Sequence, residues 1–123
     1  MKSERKRVLI VDDDPDILLA MAAMLEDAGY SVTTTEQGTD LEYIQEREEL
    51  PDIILLDMLI SGSDGCQIAR WLKHQPATRH IPLLMLSAHP TAEQQAREAG
   101  VDDFLAKPFE LDELLSRVAA HLG

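Results

Sequence analysis

Short runs of consecutive apolar residues recur along the chain, and each stops at a polar side chain. Val8-Leu9-Ile10-Val11 ends at Asp12-Asp13-Asp14, Ile53-Ile54-Leu55-Leu56 at Asp57, and the run from Ile81 to Leu86 at Ser87. Apolar throughout rather than alternating, these runs predict strands buried on both faces. Val32-Thr33-Thr34-Thr35 and Phe104-Leu105-Ala106 predict weaker strands nearer the sheet edges.

Helical spacing fills the intervals. Ile17, Met21, Met24, Leu25 and Ala28 share one face of a helix that starts near Pro15 and stops at Gly29. Leu111, Leu114, Leu115, Val118 and Leu122 form a second stripe. Segments 38–48 and 64–73 predict two more helices, with Asp64 as the N-cap of the latter. Segment 91–99 opens on Thr91-Ala92-Glu93-Gln94, a capping-box pattern, but its only apolar residues are alanines, so it should be the most loosely held. Five βα units in strict alternation imply a parallel sheet with right-handed crossovers and helices on both faces. In such an α/β fold ligands bind beyond the carboxyl ends of the strands, where strand order reverses.

Composition narrows the partners. The chain has 123 residues, a single-domain length, with 23 acidic against 11 basic residues and a formal charge of −12. That excess excludes nucleic acid as the ligand of the general surface. No apolar run reaches bilayer length and no secretory signal is visible. One cysteine, Cys66, excludes an internal disulfide and a cysteine-rich metal cluster. A cytoplasmic protein is expected. Lys2, Arg5, Lys6 and Arg7 make residues 1–6 and their neighbour a basic leader, expected to be solvated.

The side chains just past the apolar runs carry the chemistry: Asp12, Asp13 and Asp14, then Asp57, Ser87 and Lys107. Asp12, Asp13 and Asp57 brought together would repel one another unless a cation sat among them. Hard carboxylate oxygens in small number suit Mg²⁺. A carboxylate beside such a cation, a lysine and a hydroxyl is equipped to attack a phosphoryl group and become an aspartyl phosphate.

Val8-Leu9-Ile10-Val11-Asp12-Asp13, Leu55-Leu56-Asp57, Asp64-Gly65, Leu86-Ser87-Ala88 and Lys107-Pro108-Phe109 together resemble the receiver domain of two-component response regulators, over residues 6–122. The resemblance implies a flavodoxin-like three-layer sandwich, a five-stranded parallel sheet in the order 2-1-3-4-5 with five helices. It makes residues 1–123 a single receiver domain without an output domain. It assigns Asp57 as phosphoacceptor, fed by a phosphohistidine on a sensor histidine kinase or a histidine phosphotransfer protein. Asp12, Asp13, Asp57 and the backbone carbonyl of Leu59 would hold Mg²⁺, or Mn²⁺. Lys107 would pair with the phosphoryl oxygens, and the Lys107–Pro108 bond would be cis. Ser87 would turn to the phosphoryl group and Phe104 would rotate inward, altering the 91–122 face for a downstream effector. The domain would be a switch rather than a turnover enzyme, promoting its own phosphorylation and slow dephosphorylation. It would be a monomer or a weak phosphorylation-dependent dimer, touching neither nucleic acid nor membrane.

Some positions depart from the commonest pattern of that family. Ser61 stands where proline is usual, and Leu59 and His89 are expected to tune phosphoryl lifetime. Asp14 reads as a solvated cap. Asp103 and Arg117 resemble charges of symmetric receiver dimers, but helix 91–99 offers only Arg97, so an intramolecular or solvated pairing is expected. Cys66, Trp71, Met21 and Met24 read as packing residues. Two rivals remain beside the phosphorylated switch: a receiver-like binding module that is never phosphorylated, and a haloacid-dehalogenase-type phosphatase using Asp12. Against the phosphatase stand Pro15-Asp16 after the acidic triplet, an acidic pair Asp102-Asp103 that precedes the lysine, and the short chain. A calcium loop over Asp12, Asp14 and Asp16 fails, because Ile17 replaces the turn glycine and Ala23 the final glutamate.

Overall fold

The apolar runs form the strands and lie side by side. The computed structural model describes residues 5–38, 40, 41, 44, 49–60 and 63–122. Strands β1 (Arg7–Val11), β2 (Ser31–Thr35), β3 (Ile53–Asp57), β4 (Leu83–Ser87) and β5 (Asp103–Ala106) make one parallel sheet in the order β2-β1-β3-β4-β5. This is the flavodoxin-like order 2-1-3-4-5 that the family resemblance implies. Leu59–Ile60 and Ser63–Asp64 form a separate small antiparallel pair beyond β3.

Successive strand residues point to opposite faces, and the core divides accordingly. Leu9, Val11, Ile54, Leu56, Met85 and Phe104 pack with Cys66, Ala69 and Leu72 of α2 (Gly65–His74) and Ala96 of α3 (Glu93–Glu98). Val8, Ile10, Ile53, Leu55, Leu84 and Leu86 pack on the other face with Leu18, Met21 and Leu25 of α1 (Pro15–Asp27) and Leu114 and Val118 of α4 (Leu111–Leu122). Every residue of β3 and β4 is buried, which explains their unbroken apolar runs. β2, at the sheet edge, is largely exposed and correspondingly rich in threonine.

Four of the five expected helices lie in the described residues. The fifth, segment 38–48, falls mostly outside them, although Leu41 and Ile44 are buried in the core, and Ser61 and most of the basic leader also lie outside. The run from Ile81 enters the sheet only at Leu83. Ile81 instead closes a turn, its N–H donating to the Thr78 carbonyl. The expected capping box at Thr91 does not form. Pro90 opens a 3₁₀ turn through Ala92 whose last N–H is taken by the His89 carbonyl, and α3 starts without a side-chain cap. Trp71, expected to be a packing residue, lies on the outer face of α2 and is 36% exposed. No helix among the described residues is long and apolar enough to cross a membrane.

Candidate functional site

Register puts the polar residues in a row. Val11 pairs with Leu56, so Asp12 stands level with Asp57, and Ser87 pairs with Ala106, leaving Lys107 one step beyond. The row lies at the carboxyl edge of β1, β3, β4 and β5. Asp12 is buried and Asp13 exposed, and together with Asp57 they offer three carboxylate oxygens within 4.8 Å of one another. Lys107 Nζ donates to Asp12 Oδ2 at 3.0 Å and lies 3.6 Å from Asp57 Oδ2.

Local structure holds these groups in place. Asp12 Oδ1 accepts the Asp14 N–H at 2.9 Å, turning the chain out of β1. Asp14 is the N-cap of α1, accepting from the N–H groups of Asp16 and Ile17, as its expected role as a cap requires. Lys107–Pro108 is a cis peptide. The Ser87 hydroxyl accepts the His89 N–H at 3.0 Å and is buried, whereas His89 itself is exposed. Phe104 is already packed in the core, on the α2 and α3 side.

Two features escaped the sequence. The Leu59 N–H donates to the Asp57 carboxylate, a contact no side-chain pattern announces. Gly65 N–H donates to the Met58 carbonyl at 2.8 Å, and a Cβ on Gly65 would fall 2.6 Å from the Asp57 carbonyl oxygen and 2.8 Å from Met58 Cα. The first turn of α2 therefore rests on the backbone of the candidate acceptor, and only glycine permits that approach.

Electrostatics follow from this crowding. Burial and then the neighbouring Asp12 push the Asp57 carboxyl above its ordinary value, while Lys107 and the Leu59 N–H pull it back. Burial would lower the Lys107 ammonium, but Asp12 and Asp57 outweigh it and hold it above its ordinary value. Three carboxylates against one ammonium leave the cleft short of positive charge. Small, hard and oxygen-only, the donor set fits a divalent cation such as Mg²⁺.

The response regulator receiver domain family matches residues 8–119. The chain belongs to this family. Its sequence is 37% identical over 117 residues to the phosphate regulon transcriptional regulatory protein PhoB of Escherichia coli K12, covering 94% of this chain and 51% of that protein. The chain thus spans about half the length of the curated relatives it matches. A solved putative response regulator from Chloroflexus aurantiacus superposes with a TM-score of 0.86 at 37% identity, over 97% of this chain and 98% of that one. The receiver domain of a sensor histidine kinase from Pseudomonas aeruginosa PAO1 superposes with a TM-score of 0.85 at 30% identity, over 97% and 98%. That structure has a magnesium ion coordinated in its active site cleft. Receiver domains are phosphorylated on an aspartate in two-component systems and take the group from histidine kinases. The acidic cluster such chemistry needs is present here.

Away from the cleft, Asp103 accepts from Arg117 Nη1 at 2.8 Å and lies 3.0 Å from His121 Nε2. Arg97 approaches it at 3.8 Å. The intramolecular pairing expected of Asp103 and Arg117 is the one observed.

Proposed function

We propose that this chain is a phosphoacceptor receiver in which Asp57 takes a phosphoryl group from a phosphohistidine of a sensor histidine kinase or phosphotransfer protein. One observation carries the reading: a buried carboxylate at a strand end lies within reach of two others and of a lysine drawn from the opposite end of the chain. Asp12, Asp13, Asp57 and the Leu59 carbonyl would hold Mg²⁺, and Mn²⁺ by the same chemistry. When bound, the cation offsets the charge that carboxylates and phosphoryl oxygens bring together.

An Asp57 oxygen attacks phosphorus, the phosphorus–nitrogen bond breaks, and the departing imidazole takes up a proton. Lys107, held by Asp12, meets the incoming oxygens, and its ammonium stays charged throughout. Hydrolysis then proceeds by attack of water on phosphorus, restoring the carboxylate. Leu59 and His89 flank that path and tune its rate. The Ser87 hydroxyl reaches the phosphoryl group by turning from the His89 N–H, which unfastens the turn leading into Pro90–Ala92 and α3. Phe104 is already inside, so the altered 91–122 face owes more to that turn than to a swing of the ring. An effector reading that face would meet a monomer or weak dimer, in the cytoplasm.

Incubation with Mg²⁺ and acetyl phosphate should add one phosphoryl mass to the intact protein. Asp57→Asn should add none, nor should wild type with chelator. Addition to Asp57→Asn would move the nucleophile to Asp12 and favour the phosphatase. Failure of both acetyl phosphate and beryllofluoride to act on wild type would leave a binding module that is never phosphorylated.

A further inference from the structure

Acidic residues are spread through most of this chain, with one conspicuous gap. From Gly65 to Ala92 there is no aspartate or glutamate, although the chain holds 23. The gap covers α2 and the turn that follows it, and it contains Arg70, Lys73, His74, Arg79 and His80. Lys73 is committed: its ammonium pairs with Asp102 at 2.7 Å and donates to the carbonyls of Arg79 and Ile81. Arg70 and Arg79 are exposed, and among the described residues neither side chain makes a hydrogen bond or ion pair. His74 is exposed and its ring bonds the Arg70 carbonyl, fixing it one turn along the same side. Trp71 lies beside Arg70 on the helix, more than a third exposed.

We infer that the outer face of α2 and its following turn form a docking surface for an acidic segment of a partner polypeptide. Three observations select that occupant. Among the described residues the guanidinium groups have no carboxylate of their own, so binding displaces no pair within them. Trp and Arg are the residues that dominate protein–protein contacts, since each offers broad area together with a polar handle. The molecule as a whole, at −12, repels a nucleic acid or an anionic bilayer, both of which extend well past the patch. A short acidic peptide fits inside the region, roughly 8–10 Å deep, where the arginines' field is felt at physiological salt. The surface is separate from the strand-end cleft and does not depend on phosphorylation.

Trp71 is the only tryptophan, so its emission reports this face directly. The full chain is titrated with a tryptophan-free twelve-residue peptide of alternating Glu, Asp and Leu, with a scrambled-charge Lys/Leu peptide as control. The expected result is a saturable change in Trp71 emission with the acidic peptide alone. Affinity should fall at least tenfold in Arg70→Glu/Arg79→Glu and about as much between 50 and 500 mM NaCl, as an interaction between exposed charges does. The milder Arg70→Gln/Arg79→Gln pair should show the same direction, which covers any disturbance of the helix by charge reversal. Asp57→Asn should bind like wild type. No saturable change with the acidic peptide, or one that both double variants preserve, overturns the inference. So does a response to a single-stranded oligonucleotide or phosphatidylserine vesicles in place of the peptide.

Discussion

Asp57 carries its charge at a cost. Because burial and Asp12 raise its folded-state value, its contribution to stability is full below the unfolded carboxylate value and is lost as pH rises through the folded one. At neutral pH the ionised group therefore strains the metal-free fold. Asp57→Asn should melt higher than wild type at pH 7 in the presence of chelator, and the gap should close as pH falls through the folded Asp57 value; scanning calorimetry across that range measures it. Gly65 is the second decisive residue. A methyl group there meets backbone rather than a yielding side chain, so Gly65→Ala should cost about 1–3 kcal/mol in urea unfolding and should slow acetyl phosphate labelling of Asp57 as well. The clustering of Asp12, Asp13 and Asp57 was legible because Asp12 and Asp57 each end an apolar run and Asp13 follows Asp12. The Gly65 approach and the Leu59 N–H were not, because they depend on where two backbones meet and no side-chain pattern records that.

At the scale of elements, strands were read well, as were the helix starts at Pro15, Asp64 and Leu111, but not the one at Thr91. β3 and β4 are apolar up to their last residues, Asp57 and Ser87, because helices cover both faces, and that leaves an unmistakable trace. The Thr91 capping box looked sound in sequence, but Pro90 opens a tighter 3₁₀ turn in which the Ala92 N–H is taken by the His89 carbonyl. Trp71 misled for another reason: α2 fills its sheet-facing side with Cys66, Ala69 and Leu72, and no room is left inward for an indole one position away. The carboxyl-terminal half is fastened by Asp103, which joins β5 to α4. Although burial works against it, hydrogen bonds from His121 and the Phe104 N–H, together with Arg117, hold its carboxyl below the ordinary 3.8. A lowered value contributes stability above the unfolded titration and loses it as pH falls through the folded one. Asp103→Asn should accordingly lower the unfolding free energy by about 1 kcal/mol at pH 7. The two proteins should converge in urea melts once the pH is well below 3.8.

The whole molecule draws its cleft from four strands, and that governs how it answers a cation. Mg²⁺ at about a hundred times its Kd should raise the unfolding free energy by about 2.7 kcal/mol, seen as a higher melting temperature. Asp13→Asn, which neutralises an exposed carboxylate, should abolish most of that gain. A parallel sheet and the residues at its edge could be foreseen from alternating elements, and the strand order from the family resemblance, whereas the bare basic face of α2 could not, since exposure is a property of the assembled surface. The pairing of Asp12 with Lys107 spans 95 positions in sequence. A chain emerging from the ribosome presents all three aspartates while its lysine is still unmade. Until β5 docks, those carboxylates face one another without the ammonium that steadies them. If Asp57 is the phosphoacceptor proposed above, competence to take up a phosphoryl group thus arrives together with the last strand, and a half-made or locally unfolded copy stays silent.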